Sequence, residues 1–180
     1  MNPKDHVMKH LNLFASALVL AATSAACGNT DPVAQQLAFN EVGATGSDFV
    51  EFYNTGSGPL DVSGYGATDS RKDGLPKLSR TIRFPAGTVV PAGGYLLVLF
   101  EGECPASTTM YTCVRSSLAG GGVSQSHGEN VHLIDPENQV AASMAYPRAA
   151  APSGWTWGRF PNGTGAFEAT RRTPGFANVE

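Results

Sequence analysis

The run Asp48-Phe49-Val50-Glu51-Phe52-Tyr53-Asn54 constrains this chain more than any other. In an extended strand Val50 and Phe52 project to one side, and Phe49, Glu51 and Tyr53 to the other. Aromatic and β-branched residues dominate, which favours strand over helix. Asn54-Thr55-Gly56-Ser57-Gly58-Pro59 then stops the strand with turn formers, and Leu60-Asp61-Val62-Ser63-Gly64-Tyr65 resumes the alternation. Glu51 stands in the middle of an otherwise apolar-looking strand. A carboxylate buried there requires a partner or a changed protonation state.

The rest of the chain repeats that grammar. Extended segments are predicted at residues 37–42, 81–84, 95–100, 131–134, 140–146 and 155–160, with turn signals about every ten residues. The 21 glycines and 12 prolines suit short strands joined by turns, and no segment keeps a helical period. Tyr95-Leu96-Leu97-Val98-Leu99-Phe100 is apolar throughout, as expected of a strand buried on both faces. Residues 101–125 read as one long irregular loop, rich in Ser, Thr and Gly. A loop of that length in a compact domain is either functional or mobile.

The N-terminus has a different composition. Lys4 and Lys9 precede an apolar run over residues 11–22, and Thr23-Ser24-Ala25-Ala26-Cys27 follows. Charged, apolar, then small is the order of a secretory signal, and the run is too short for a membrane-spanning helix of roughly 20 residues. Ser24-Ala25-Ala26-Cys27-Gly28 resembles a bacterial lipobox, so cleavage before Cys27 and lipidation of its thiol are expected. Ser24 stands where a large aliphatic residue is usual, and ordinary cleavage after Ala26 with a free Cys27 is the alternative. The chain has three cysteines. Lipidating Cys27 leaves Cys104 and Cys113 to pair, and export makes a disulfide between them the natural state. The expected organisation is a cleaved signal over residues 1–26, a lipidated tether over 27–36 and one β domain over 37–178.

The ordered strand and turn motifs resemble the lamin tail domain family in its bacterial form. They are Asn40-Glu41-Val42, the run 48–54, the run 60–65, Phe84-Pro85-Ala86-Gly87-Thr88, Pro91-Ala92-Gly93-Gly94-Tyr95, Gly128-Glu129-Asn130-Val131-His132-Leu133, Gly158-Arg159-Phe160-Pro161-Asn162-Gly163 and Thr173-Pro174-Gly175-Phe176-Ala177-Asn178. The likeness spans about residues 37–178. It implies an all-β, immunoglobulin-like β-sandwich and no single biochemical activity. The family pattern also supplies a cation at Arg159, which makes Glu51–Arg159 the expected structural ion pair.

No catalytic set assembles from these residues. His127, Glu129 and His132 lie on a loop and a strand, where a zincin pattern requires a helix. No Gly-x-Ser-x-Gly elbow and no phosphate-binding glycine loop occurs. Glu41, Asp48, Glu51, Asp61 and Asp69 are hard oxygen donors, so calcium is a conceivable ligand, but their spacing fits no calcium-loop signature. No metal site and no cofactor are therefore assigned. With a formal net charge of −3 and 15% charged residues, the chain lacks the basic stripe of a nucleic-acid binder. Flat side chains that could face a partner are Tyr111 and Trp155, while Trp157 belongs to the core.

The expectation is a non-enzymatic module lipid-anchored in the bacterial envelope, at the outer membrane, serving adhesion or scaffolding toward an envelope protein or polysaccharide. A calcium- or polysaccharide-binding module is second, and an accessory domain of a hydrolase system third.

Overall fold

A computed structural model describes residues 31–116 and 121–180. The expected signal peptide and Cys27 lie outside the described residues. Twelve strands follow in order: β1 (Leu37–Gly43), β2 (Phe49–Asn54), β3 (Leu60–Asp61), β4 (Gly66–Asp69), β5 (Ile82–Arg83), β6 (Val89–Val90), β7 (Tyr95–Leu99), β8 (Tyr111–Arg115), β9 (Glu129–Ile134), β10 (Val140–Tyr146), β11 (Trp155–Phe160) and β12 (Ala166–Arg171). A short 3-10 turn, Leu78–Arg80, precedes β5. One sheet runs β12-β11-β1-β2-β7-β8, a second β10-β9-β4-β5, and β3 pairs with β6. The pairings are antiparallel except β7 with β8. The architecture is an immunoglobulin-like β-sandwich.

The alternation read from the sequence decides which side chains enter the core. Val50 and Phe52 of β2, Phe39 and Val42 of β1 and Leu96 and Val98 of β7 face Ala67 of β4 and Val131 and Leu133 of β9. Phe39 and Phe52 lie with ring centroids 4.6 Å apart. The full burial of β7 has a simple cause: its other face carries a second small core. There Leu97 and Leu99 join Phe49, and the two half-buried cysteines Cys104 and Cys113 pack over them. These cysteines form a disulfide with Cα atoms 5.7 Å apart.

Four differences from the sequence reading bear on the packing. Residues 111–115, read as loop, form β8, which pairs in parallel with β7. Tyr-Thr-Cys-Val-Arg alternates well enough for a strand, but the surrounding Ser, Thr and Gly hid it. The strand expected over residues 60–65 shortens to Leu60–Asp61, because the Asp61 carboxylate takes the Ser63 N–H and turns the chain. β12 went unread, being only half apolar. Residues 31–36, read as tether, are folded: the Asp31 carboxylate accepts the Val33 and Ala34 N–H groups, and Val33 enters the core.

The disulfide closes a short loop over the Phe49–Leu97–Leu99 cluster. Replacing both Cys104 and Cys113 by Ser is expected to cost about 2–3 kcal/mol by loss of loop constraint. Urea unfolding of the double variant beside wild type measures this, and equal midpoints would contradict the staple.

Candidate functional site

Two polar assemblies stand out, one closed and one open. The closed one begins with an irregularity in β1. The β1–β2 register shifts between Phe39 and Glu41, so Phe39 and Val42 both face the core while Asn40 and Glu41 both face outward. An extra residue in one strand has this effect. Glu41 thereby lies directly opposite Glu51, and both are fully buried. What buries them is the C-terminal segment after β12. Thr173 donates its N–H (3.0 Å) and its hydroxyl (3.2 Å) to the Glu41 carboxylate. Gly175 donates its N–H to Glu51 Oε2 at 2.6 Å, and Asn40 Nδ2 donates to Oε1 at 2.9 Å. Asn178 Nδ2 clamps the carbonyls of Asn40 and Arg159 (3.1 and 2.9 Å). Gly158 makes this possible, since a Cβ there would stand 2.5 Å from Thr170 Oγ1 and 2.7 Å from Asn178 Nδ2.

Desolvation lifts the pKa of both acids above the ordinary glutamate range, and for Glu51 the neighbouring Glu41 charge adds to the rise. The Glu51–Arg159 pair expected from the sequence does not form. Glu41 pairs across to Gly158, so Arg159 falls on the opposite face of the sheet from the two acids. Its guanidinium lies over Phe167 at 4.4 Å and donates to the carbonyls of Phe39 and Gly165. Period-two alternation separates the two side chains.

The open assembly is a cleft of about 980 Å³ at one end of the four-stranded sheet. Three segments meet there. Residues 70–77 leave β4, residues 124–130 enter β9, and residues 145–148 leave β10. Gly128, at φ +74°, lets the second lie against the third: a Cβ would stand 2.8 Å from Arg148 N and 2.9 Å from Tyr146 O. The first loop is held down by Asn130, whose N–H donates to Ser70 Oγ and whose Nδ2 donates to Gly74 O. His132 adds a contact from Nε2 to Gly74 O, with Ser143 Oγ on its Nδ1 at 2.7 Å. Burial holds the His132 pKa below the usual histidine range.

Much of the charge lining the cleft is already paired. Lys77 Nζ meets Asp69 at 2.6 Å and Glu129 at 3.7 Å. Arg71 pairs with Asp73 at 2.6 Å. Beyond Lys77 lies a smaller acidic hollow of about 370 Å³, lined also by Asp48 and residues 121–124. Asp48 accepts the Val123 N–H at 2.9 Å, and burial pushes its pKa up to about 6. His127 Nδ1 sits 2.9 Å from Ser126 Oγ and 3.2 Å from Ser124 Oγ, all exposed near-neighbours in sequence. No third group orients the imidazole among the described residues, so a nucleophile, base and orienter do not assemble there.

The flat side chains divide. Tyr111 is a correction: it is buried, its hydroxyl donates to Ala106 O, and its ring packs against Gly175 and Phe176 of the C-terminal segment. It offers no free face. Trp155 is half-buried outside the main core with the Arg171 guanidinium 4.1 Å over its ring. Trp157 is half-buried against the core and stacks on Phe167. The five acids considered as calcium donors scatter. Glu41 and Glu51 are sealed together, Asp48 and Asp69 line the acidic hollow, and Asp61 is exposed on β3. Sequence reasoning missed the cleft lining, because its residues lie far apart in the chain and match no motif.

The fold defines an immunoglobulin-like β-sandwich with loop-built recesses at one end. The Lamin Tail Domain family model matches residues 30–148, and the chain belongs to that family, a family of non-catalytic immunoglobulin-like domains. The match ends before β11 and β12, which complete the six-stranded sheet, and before the C-terminal segment that covers it. None of the curated proteins matches the chain.

The acids fix the sign of a pH effect. A carboxyl whose folded pKa exceeds its unfolded value supports folding at low pH, and that support is lost as pH rises through the folded value. Asp48 acts from its ordinary 3.8 up to about 6, and Glu41 and Glu51 act above 4.5. The melting temperature should therefore fall as pH rises above about 4, through the Asp48 value of about 6 and beyond it as the two glutamates ionise. Glu41→Gln keeps its bonds, because Thr173 Oγ1 can accept from the new amide, so its melting temperature at pH ~8 should exceed wild type and the slope should flatten. Glu51→Gln sets an amide against either the Asn40 amide or the Gly175 N–H. It should lose on the order of 1–3 kcal/mol for the orphaned donor. Differential scanning fluorimetry across pH checks all three, and an unchanged slope in Glu41→Gln would refute the pair as its source.

Proposed function

We propose that this chain is an exported, non-catalytic binding module, held at the bacterial cell envelope by a lipid on Cys27 and serving adhesion or scaffolding there. One observation carries the binding part: a cleft of about 980 Å³ is assembled from three chain segments at one end of the sandwich. Loops on a rigid scaffold are where binding surfaces are usually displayed. The two acids best placed to be unusual reactive groups, Glu41 and Glu51, are instead sealed beneath backbone donors. Membership in the lamin tail domain family supports the same reading, and the outer membrane is the address most consistent with it.

The anchoring part rests on the charged, apolar and small segments preceding Cys27 and on the pairing of the other two cysteines with each other. Cells fed a labelled fatty acid should mark the wild-type protein and not Cys27→Ser. Wild type should require detergent for release from membranes. Labelling of neither protein, or equal release of both without detergent, would overturn the anchor.

A further inference from the structure

The cleft is not evenly balanced in charge. Its lining cations are Arg71, Lys72, Lys77 and Arg148, against the single acid Glu129. Lys77 is held by Asp69 and Glu129, and Arg71 by Asp73. Lys72 and Arg148 are exposed and have no ion pair among the described residues. They come from different segments, Lys72 from the loop after β4 and Arg148 from the chain just beyond β10. His127, itself exposed, lies on the segment entering β9, its Nδ1 engaged by serine hydroxyls. In a chain of net charge −3, a concave wall with two unneutralised cations is a local inversion of the overall sign. Such a wall in a recess concentrates anions.

A further lining group, the half-buried Asn130, suits a hydroxylated ligand. Ser70, itself buried, fixes Asn130 in place by accepting its N–H. Asn130 donates through Nδ2 to Gly74 O, which leaves Oδ1 as an acceptor. The volume exceeds what one small inorganic ion fills and matches the usual range of ligand pockets.

We propose that this cleft binds an acidic saccharide, its anionic group held by Lys72 and Arg148 and its hydroxyls met by Asn130. Arg148 supplies a planar fork of donors suited to a carboxylate or a phosphate ester, and Lys72 a compact second charge. The proposal rests on the reading of the chain as an envelope binding module and names the chemistry of its ligand.

The test is calorimetric titration of the full-length chain in detergent with four probes: tetragalacturonate, a phosphorylated tetrasaccharide, neutral maltotetraose and hexaglutamate. Saturable binding of either acidic saccharide with none of maltotetraose is expected. Which of the two binds tells carboxylate from phosphate. In Lys72→Gln/Arg148→Gln the affinity should drop about tenfold or more for loss of charge-assisted contacts, with an unchanged melting temperature. Arg115→Gln, which removes an exposed cation elsewhere on the surface, should bind as wild type. Absence of binding by both acidic saccharides, stronger binding of hexaglutamate, full affinity in the double variant, or equal loss in Arg115→Gln would each overturn the proposal. The envelope reading is judged separately by fatty-acid labelling. Labelled, membrane-held protein that ignores acidic saccharides rejects this ligand and leaves the module standing, whereas unlabelled, freely released protein rejects the anchored module whatever the cleft binds.

Discussion

Two carboxylates lying opposite each other in the middle of a sheet set the terms for the rest of this domain. Glu41 and Glu51 are adjacent across the β1–β2 pair and fully excluded from solvent. Neither has an arginine or lysine bonded to it among the described residues. Their stabilisation comes from neutral donors: backbone N–H groups of Thr173 and Gly175, the Thr173 hydroxyl and the Asn40 amide. Such donors hold a buried carboxylate only if they are brought to it in fixed geometry. That requirement explains the C-terminal segment. It crosses the outer face of β1 and β2, ties into Asn162, Asn40 and Arg159 through Asn178, and presses Gly175 and Phe176 on Tyr111. The central acids of the stretch matched by the family model are therefore satisfied here from beyond residue 148.

The two faces of the large sheet are covered by different means. The inner face packs on the second sheet through ordinary apolar alternation. The outer face is covered in two patches. The disulfide loop lies over Phe49, Leu97 and Leu99, and the C-terminal segment lies over the acids. Both patches place backbone over the sheet, and both are fastened, one by a covalent bond and one by hydrogen bonds. With that face occupied, the open end of the four-stranded sheet holds the cleft. Charge divides there as well. Lys77 bridges Asp69 and Glu129, with an acidic hollow on one side and a cationic cleft on the other.

Much of this was legible in one dimension. Alternation in residues 48–54, the apolar run 95–100 and the recurring turns pointed to an all-β sandwich, put Val50 and Phe52 on one face of their strand and marked 95–100 as buried on both faces. The oddity of Glu51 was legible too, as a carboxylate in a strand that had no room for one in the open. Local patterns carry such information because side-chain direction in a strand follows from position alone. What only the tertiary structure decided is who meets whom. Whether Arg159 reaches Glu51 depends on the parity of the β1–β11 register, and a one-residue difference in register moves a side chain to the other face. That the Glu41 and Glu51 donors are Thr173 and Gly175 depends on a chain reversal more than a hundred residues away. The cleft likewise joins residues near 72, 127 and 148, which no spacing rule connects. Sequence periodicity determines the face on which each residue lies, but partnership requires register and topology, and those exist only once the sheets have assembled.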